Sequence, residues 1–171
     1  MWRDTEINDA VTLQRPLGGR LRRAALRENG LVAALLIFGA QTASAEEHVV
    51  RTRRAEWAPP VLFIQPGDTV VWRGMRTHET ALIEGMGPAD ATVWRSELDA
   101  DGFSVTLNEE GAYIYTCDIH MSLGMVGAIV VGDAEPHNLA AIDAAVENID
   151  VGRIFVERII GRMKRALARR N

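Results

Sequence analysis

The stretch YIYTCDIHMSLGM, residues 113–125, holds the only cysteine of the 171-residue chain, one of its four histidines and two of its six methionines. Read outward, it is an apolar run ending at Cys117, a short polar turn, and a second apolar run, MVGAIVVGD, starting at Met125. Two β-like runs joined so closely point Cys117, His120 and Met125 at one centre. A thiolate, an imidazole and a thioether are soft donors, and such a set selects copper over magnesium, calcium or manganese. A trigonal copper site of this kind takes two imidazoles and a thiolate, with a weak axial thioether, so a second histidine is required. His78, in RGMRTHETALI, follows a turn and opens a predicted strand. His48 lies in the first predicted strand and His137 in the helical tail, and neither follows a loop that would carry it to Cys117. Met121 is a competing axial donor, but it directly follows His120, and its sulfur would need a sharp fold-back.

Upstream of the stretch, the chain is a series of short strand-like runs separated by turn residues. These are HVVRTR (48–53), VLFI (61–64), TVVWR (69–73) and TALIE (80–84), then a Gly/Pro-rich loop over 85–94, FSVTL (103–107) and AYIYTC (112–117). Pro66-Gly67-Asp68 is a turn signal, because proline presets φ and glycine accepts positive φ. Phe103, Val105 and Leu107 share one face of their run. The pattern predicts a mainly β fold, a β-sandwich. Past Gly132 the texture becomes helical. Asn138 is placed to cap a first helix with Leu139, Ile142 and Val146, and Asp150 a longer second one whose apolar stripe draws on Ile154, Phe155, Ile159, Met163, Ala166 and Leu167. Both helices are expected to pack on the sandwich.

The N-terminus has a different character. Arg20, Arg22, Arg23 and Arg27 precede the apolar run LVAALLIFGA (31–40), and Ala43-Ser44-Ala45 forms an A-x-A site before Glu46. Basic, apolar and small residues in that order predict a secretory signal over 1–45, a copper-binding domain over 46–133 and a helical extension over 134–171. Removal of 1–45 takes six arginines and four carboxylates. Thirteen cations and nineteen acids remain, a net charge of −6. Nucleic acid is excluded as a partner, since phosphate binding needs concentrated positive charge. The apolar run is too short for stable membrane insertion, which takes about 18 residues. One cysteine forms no internal disulfide, and an exported chain keeps such a residue when it is buried or coordinated.

PGDTVVW, THETALIEGM, YIYTCDIHMSLGMVGAIVVGD and the helical tail together resemble the pseudoazurins, small periplasmic copper proteins of the cupredoxin superfamily. The resemblance spans residues 47–171. It implies a Greek-key β-sandwich with two C-terminal α-helices, and copper held by His78, Cys117, His120 and Met125. It also implies a monomer that shuttles single electrons in the periplasm between redox enzymes or c-type cytochromes. The docking surface would be an apolar patch around His120 made by Met121, Ser122, Leu123 and Gly124. All four metal positions are then filled by protein, leaving none open for a substrate, so an enzyme is not expected. A copper carrier or resistance protein that does not cycle its redox state is the alternative. Three departures stand out. Glu79 replaces the usual asparagine after the first histidine, and Asp118-Ile119 replaces the frequent Thr-Pro after the cysteine. In the family those positions link the two ligand loops, and two carboxylates there would repel if both were ionised and close. A lysine rim is also missing, with Arg73, Arg76 and Arg95 as the expected substitutes.

Overall fold

The computed structural model describes residues 44–170. Eight strands form two four-stranded mixed sheets. The first sheet has the order β2 (Trp57–Ala58), β1 (Glu47–Thr52), β4 (Asp68–Arg73), β6 (Ser104–Leu107). Here β1 runs parallel to β4, with antiparallel β2 and β6 outside them. The second sheet has the order β3 (Val61–Ile64), β8 (Val126–Val131), β7 (Gly111–Thr116), β5 (Ala81–Leu82). β3 runs parallel to β8, and β7 is antiparallel to both β8 and β5.

β7 and β8 are buried along their whole length, because each has two covered faces. Tyr113, Tyr115, Ile129 and Val131 face the other sheet. There they join Val50, Trp57, Val70, Trp72, Trp94, Val105 and Leu107 in the main core. Ala112, Ile114, Val126, Ala128 and Val130 belong to a second core, shared with helices α1 (Leu139–Ala145) and α2 (Arg153–Leu167). Ile142, Val156, Ile159, Ile160 and Met163 are the buried residues of α1 and α2 in that layer, and a fully buried side chain of this size contributes about 1.5–3 kcal/mol. Gly127 is the one small residue of β8 whose absent Cβ matters most: it lies opposite Tyr115, whose ring fills the space a Cβ would take.

The β-sandwich and the helical tail are as expected, with corrections in detail. TALIE shrinks to the two-residue strand β5, and β2 was not expected at all. At Pro66-Gly67 the turn forms with Gly67 at φ +92° and the Asp68 N–H donating to the Gln65 carbonyl. Asn138 precedes α1 but does not cap it with its side chain. Its amide instead clasps Ala112, accepting from the N–H at 2.9 Å and donating to the carbonyl at 2.8 Å. That contact anchors the tail to β7. Gly152, in the left-handed conformation, and not Asp150, precedes α2. Ile159 and Met163 lie on the buried face as expected, together with Val156 and Ile160, whereas Ile154 is 60% exposed.

Candidate metal centre

Cys117 continues β7. It is still extended, at φ −103° and ψ 111°, and shares the inward register of Tyr113 and Tyr115. A tight 3-10 turn, Asp118–Leu123, follows. The segment closes on itself through the backbone. The His120 N–H donates to Cys117 O at 3.0 Å, Met125 N–H to His120 O at 3.2 Å, and Cys117 N–H to Met125 O at 3.0 Å. Gly124 ends the turn at φ +93°, a conformation that suits glycine. Its bare Cα lies against the Phe155 ring of α2, which a Cβ would approach to 2.8 Å.

His78 arrives from the other side by a loop held in a different way. The Thr77 N–H donates to Asp99 Oδ1, the Gly74 N–H to Asp101 Oδ1, and Thr77 sits at φ +61°. After His78, Thr80 exchanges hydrogen bonds with Ser96: the Thr80 N–H donates to Ser96 Oγ and the Ser96 N–H to Thr80 O. β5 then pairs Ala81 with Thr116, next to Cys117. The Trp57 ring packs near that of His78, with centroids 6.4 Å apart.

The result is a convergence of three donors. His78 Nδ1 lies 3.1 Å from His120 Nδ1, and Cys117 Sγ lies 3.5 Å from His120 Nδ1 and 4.0 Å from His78 Nδ1. A first-row metal ion with bonds of about 2.0–2.3 Å sets trigonal edges of about 3.5–3.8 Å. The observed triangle brackets those edges, so the donor set fits a single ion. Cys117 is wholly buried and His78 is 7% exposed. Burial pushes the His78 imidazolium down, His120 adds repulsion, and Asp99 opposes both. The neutral, metal-binding form of the ring is thereby favoured. Met125 is fully buried in the same core cluster as Cys117, whereas Met121 packs with the helix-side cluster, against Gly152. His48 is engaged elsewhere, with Nε2 2.8 Å from Asp68, and His137 is exposed.

Residues 46–132 match the copper-binding plastocyanin/azurin family, more than half of the chain. The chain belongs to that family. It is 29% identical over 119 residues to the pseudoazurin of Paracoccus pantotrophus, covering 66% of this chain and 81% of that protein. Identity is 30% over 119 residues to a putative pseudoazurin of Rhizobium leguminosarum bv. viciae, covering 66% and 77%. Among solved structures, a Sinorhizobium pseudoazurin is similar at 33% identity and a TM-score of 0.59, over 69% of this chain and 96% of that one. Pseudoazurins are thus the branch of the copper-binding family that this chain resembles. Copper is the cofactor the family and the donor set agree on.

One part of the centre departs from the expectation of two repelling carboxylates. Arg95 Nη1 lies 2.6 Å from Asp118 Oδ2 and 3.7 Å from Glu79 Oε2. The guanidinium joins the loop after His78 to the turn after Cys117, placing a positive charge between the two carboxylates. The antiparallel bridge between Ala81 and Arg95 puts it there. The hydrogen bond Arg95 donates to Asp118 holds it still more firmly protonated, opposed by desolvation and reinforced by the charges of Asp118 and Glu79. Arg95 is therefore not a free rim charge. Around His120 the surface is flanked by Leu123, 65% exposed, and by Ile119, 54% exposed. Ile119 was not expected in that patch, while Met121 is half-buried and turned toward the helices.

Proposed function

We propose that His78, Cys117 and His120 hold one copper ion in a trigonal set with Met125 as the axial donor, and that the chain shuttles single electrons between redox partners as a carrier and not as an enzyme. The observation that carries the reading is the convergence of two imidazole nitrogens and a buried thiol within 4.8 Å of one another, at the end of a rigid sandwich. A copper ion held there would supply one-electron chemistry between Cu(I) and Cu(II). The protein contributes the thiolate and two neutral imidazoles, excludes water through the surrounding core, and limits movement of the donors by fixing them to two sheets. Exposed Ile119 and Leu123 flank the half-buried His120 ring. Such an apolar patch suits a brief contact with a partner, which we place as a c-type cytochrome or a redox enzyme.

We further infer that residues 1–45 are an export signal and that the mature protein begins at Glu46 and works in the periplasm as a monomer. Support comes from the basic, apolar and small-residue order of the leader.

Titration of the metal-free protein with Cu(II) tests the reading. It should give one bound ion and an intense visible sulfur-to-copper band that bleaches with reductant and returns with oxidant. Tight binding without a reversible couple would mark a copper carrier instead. Met125→Leu should leave the ion bound and raise the reduction potential, since loss of a weak axial donor disfavours Cu(II) more than Cu(I). An unchanged potential would remove Met125 from the site.

A further inference from the structure

We propose that processing after Ala45 creates a new ion pair, in which the freed α-ammonium group of Glu46 sits on the buried carboxylate of Asp68 and locks the mature N-terminus into the first sheet. The proposal rests on the export reading above for the position of the cut. Its geometric basis is separate. The Glu46 nitrogen already donates to Asp68 Oδ1 at 2.8 Å, and the Glu46 carbonyl accepts from the Thr69 N–H at 2.9 Å. Glu46 is thus pinned from both ends of its own backbone before β1 begins at Glu47. The bond to be cut is open to solvent, since Ser44, Ala45 and Glu46 are all exposed.

Asp68 is an unusual acceptor. It is 4% exposed at the first position of β4. Its Oδ2 receives the Gln65 N–H at 2.9 Å and lies 2.8 Å from His48 Nε2. Among the described residues Oδ1 has the Glu46 nitrogen alone as a partner. A buried carboxylate with one neutral donor on one of its oxygens has lost hydration that the protein only partly replaces. Among the described residues His48 is the one titratable side chain bonded to it, and Glu46 and Glu47 are exposed.

Hydrolysis changes the donor without moving it. The Ala45–Glu46 peptide bond breaks, water adds its hydroxyl to the Ala45 carbonyl carbon, and the departing carboxylic acid ionises. The Glu46 nitrogen leaves as an amine and takes up a proton. A signal-type peptidase is the catalyst and water the only co-reactant. The neutral amide donor becomes an ammonium, and a charge-assisted bond is about twice as strong as a neutral one. A chain that still carries its leader has no charge at that atom, so it cannot form the pair. Export and full stabilisation of the first sheet are then coupled.

The pH signature has a definite sign. A free α-amino group titrates at about 7.7–8.0, and Asp68 raises that value in the folded state. The added stability is therefore complete below that range and lost as pH rises through the raised native value. Asp68 acts at the other end. Its partners hold it below the ordinary carboxylate value despite burial, so its own contribution disappears only as pH falls through that lowered value.

The test compares copper-free chains with defined termini, one starting at Glu46 and one at Ser44, each released from a fusion by site-specific cleavage. At pH 6 the chain starting at Glu46 should melt higher by roughly 3 °C, and the difference should vanish at a pH well above the titration of its amino group. Acetylation of its α-amino group should remove the same increment with every side chain intact. Asp68→Asn should also remove it, and if that variant fails to fold, the acetylated chain gives the answer. Equal melting of the two chains at pH 6, or an increment that survives acetylation, would overturn the ion pair. Mass measurement of the exported protein checks the cut independently: a terminus other than Glu46 would overturn the processing step whatever the melting data show.

Discussion

The two segments that meet at the metal centre are built on opposite plans. Residues 117–125 are held by their own backbone, with three hydrogen bonds closing a turn between adjacent strands and α2 packed beneath it. Residues 74–82 are held by side chains from elsewhere: Asp99, Asp101 and Ser96 position the loop, and Trp57 packs near its histidine. The first segment is a local solution, needing little beyond a nine-residue sequence. The second is a tertiary one, with its instructions spread over about fifty residues. A substitution of a donor in either segment should therefore act on the metal directly, whereas one of the side chains that support the second segment should act through the stability and protonation of the apoprotein.

The largest effect is expected in the first segment. Cys117→Ser replaces the only soft anionic donor of the trigonal set by a hydroxyl, and the intense visible band should vanish altogether. A variant that kept the band would show that the 117–125 segment does not hold the metal. Gly124→Ala probes the support of the same turn and not its chemistry. It places a Cβ at φ +93° and against the Phe155 ring. The expected loss is about 1–3 kcal/mol of apoprotein stability by denaturant unfolding. An unchanged midpoint would mean that the turn stands without the helix.

The contrast also decides what could be read from the sequence. The convergence of Cys117 and His120 was legible because a short turn between strands leaves its side chains few directions, while Met125 as a donor stays a proposal. His78 was found among only four histidines, by its place after a turn. Trp57, Asp99 and Asp101 were not found. EWAPP and LDADG lie far along the chain from His78 with no motif linking them to it, and only the folded chain brings them to its loop. The departures at Glu79 and Asp118 were visible, but their resolution by Arg95 was not, since the three residues come from three segments and meet only through the Ala81–Arg95 bridge. The stripe of α2 was read only in part, for a simpler reason. A helix opening at Gly152 with no side-chain cap offers no capping signal, and the expected stripe shared Ile159 and Met163 with the buried face but took in exposed Ile154 and left out Val156 and Ile160.

In the second segment, Asp99→Ala should have a moderate effect of about 1 kcal/mol, because the Thr77 N–H loses its acceptor while Thr77 remains at positive φ. A pH dependence separates this from simple loosening. His78 titrates below its ordinary value of 6.5 in the fold. As pH falls, the unfolded chain takes up that proton first, so stability is present above 6.5 and lost as pH drops through the native value. Asp99 moderates the loss by raising His78. Without it the copper-free variant should fall away from the parent increasingly below pH 6.5 in thermal melts. Parallel pH profiles would show that Asp99 acts on the backbone alone.

The smallest effect belongs to the link between the two segments. Arg95 is 59% exposed and Asp118 43% exposed, so solvent screens the pair, and Arg95→Gln should change apoprotein stability by no more than about 0.5 kcal/mol. Its consequence should appear at the metal instead. The substitution removes one positive charge and leaves Glu79 and Asp118 uncompensated beside the ligand loops. Added net negative charge favours Cu(II) over Cu(I), so the reduction potential should fall. Two unit charges about 10 Å apart in water interact by roughly 0.4 kcal/mol, which corresponds to a decrease of roughly 20 mV. Because the groups are exposed, the decrease should shrink in high salt. Arg95→Lys should restore the charge but not the planar guanidinium whose Nη1 lies near both carboxylates. A potential that recovers fully with lysine would assign Arg95 an electrostatic role only. One that stays low, with a broadened visible band, would show that the guanidinium holds the two ligand segments in register.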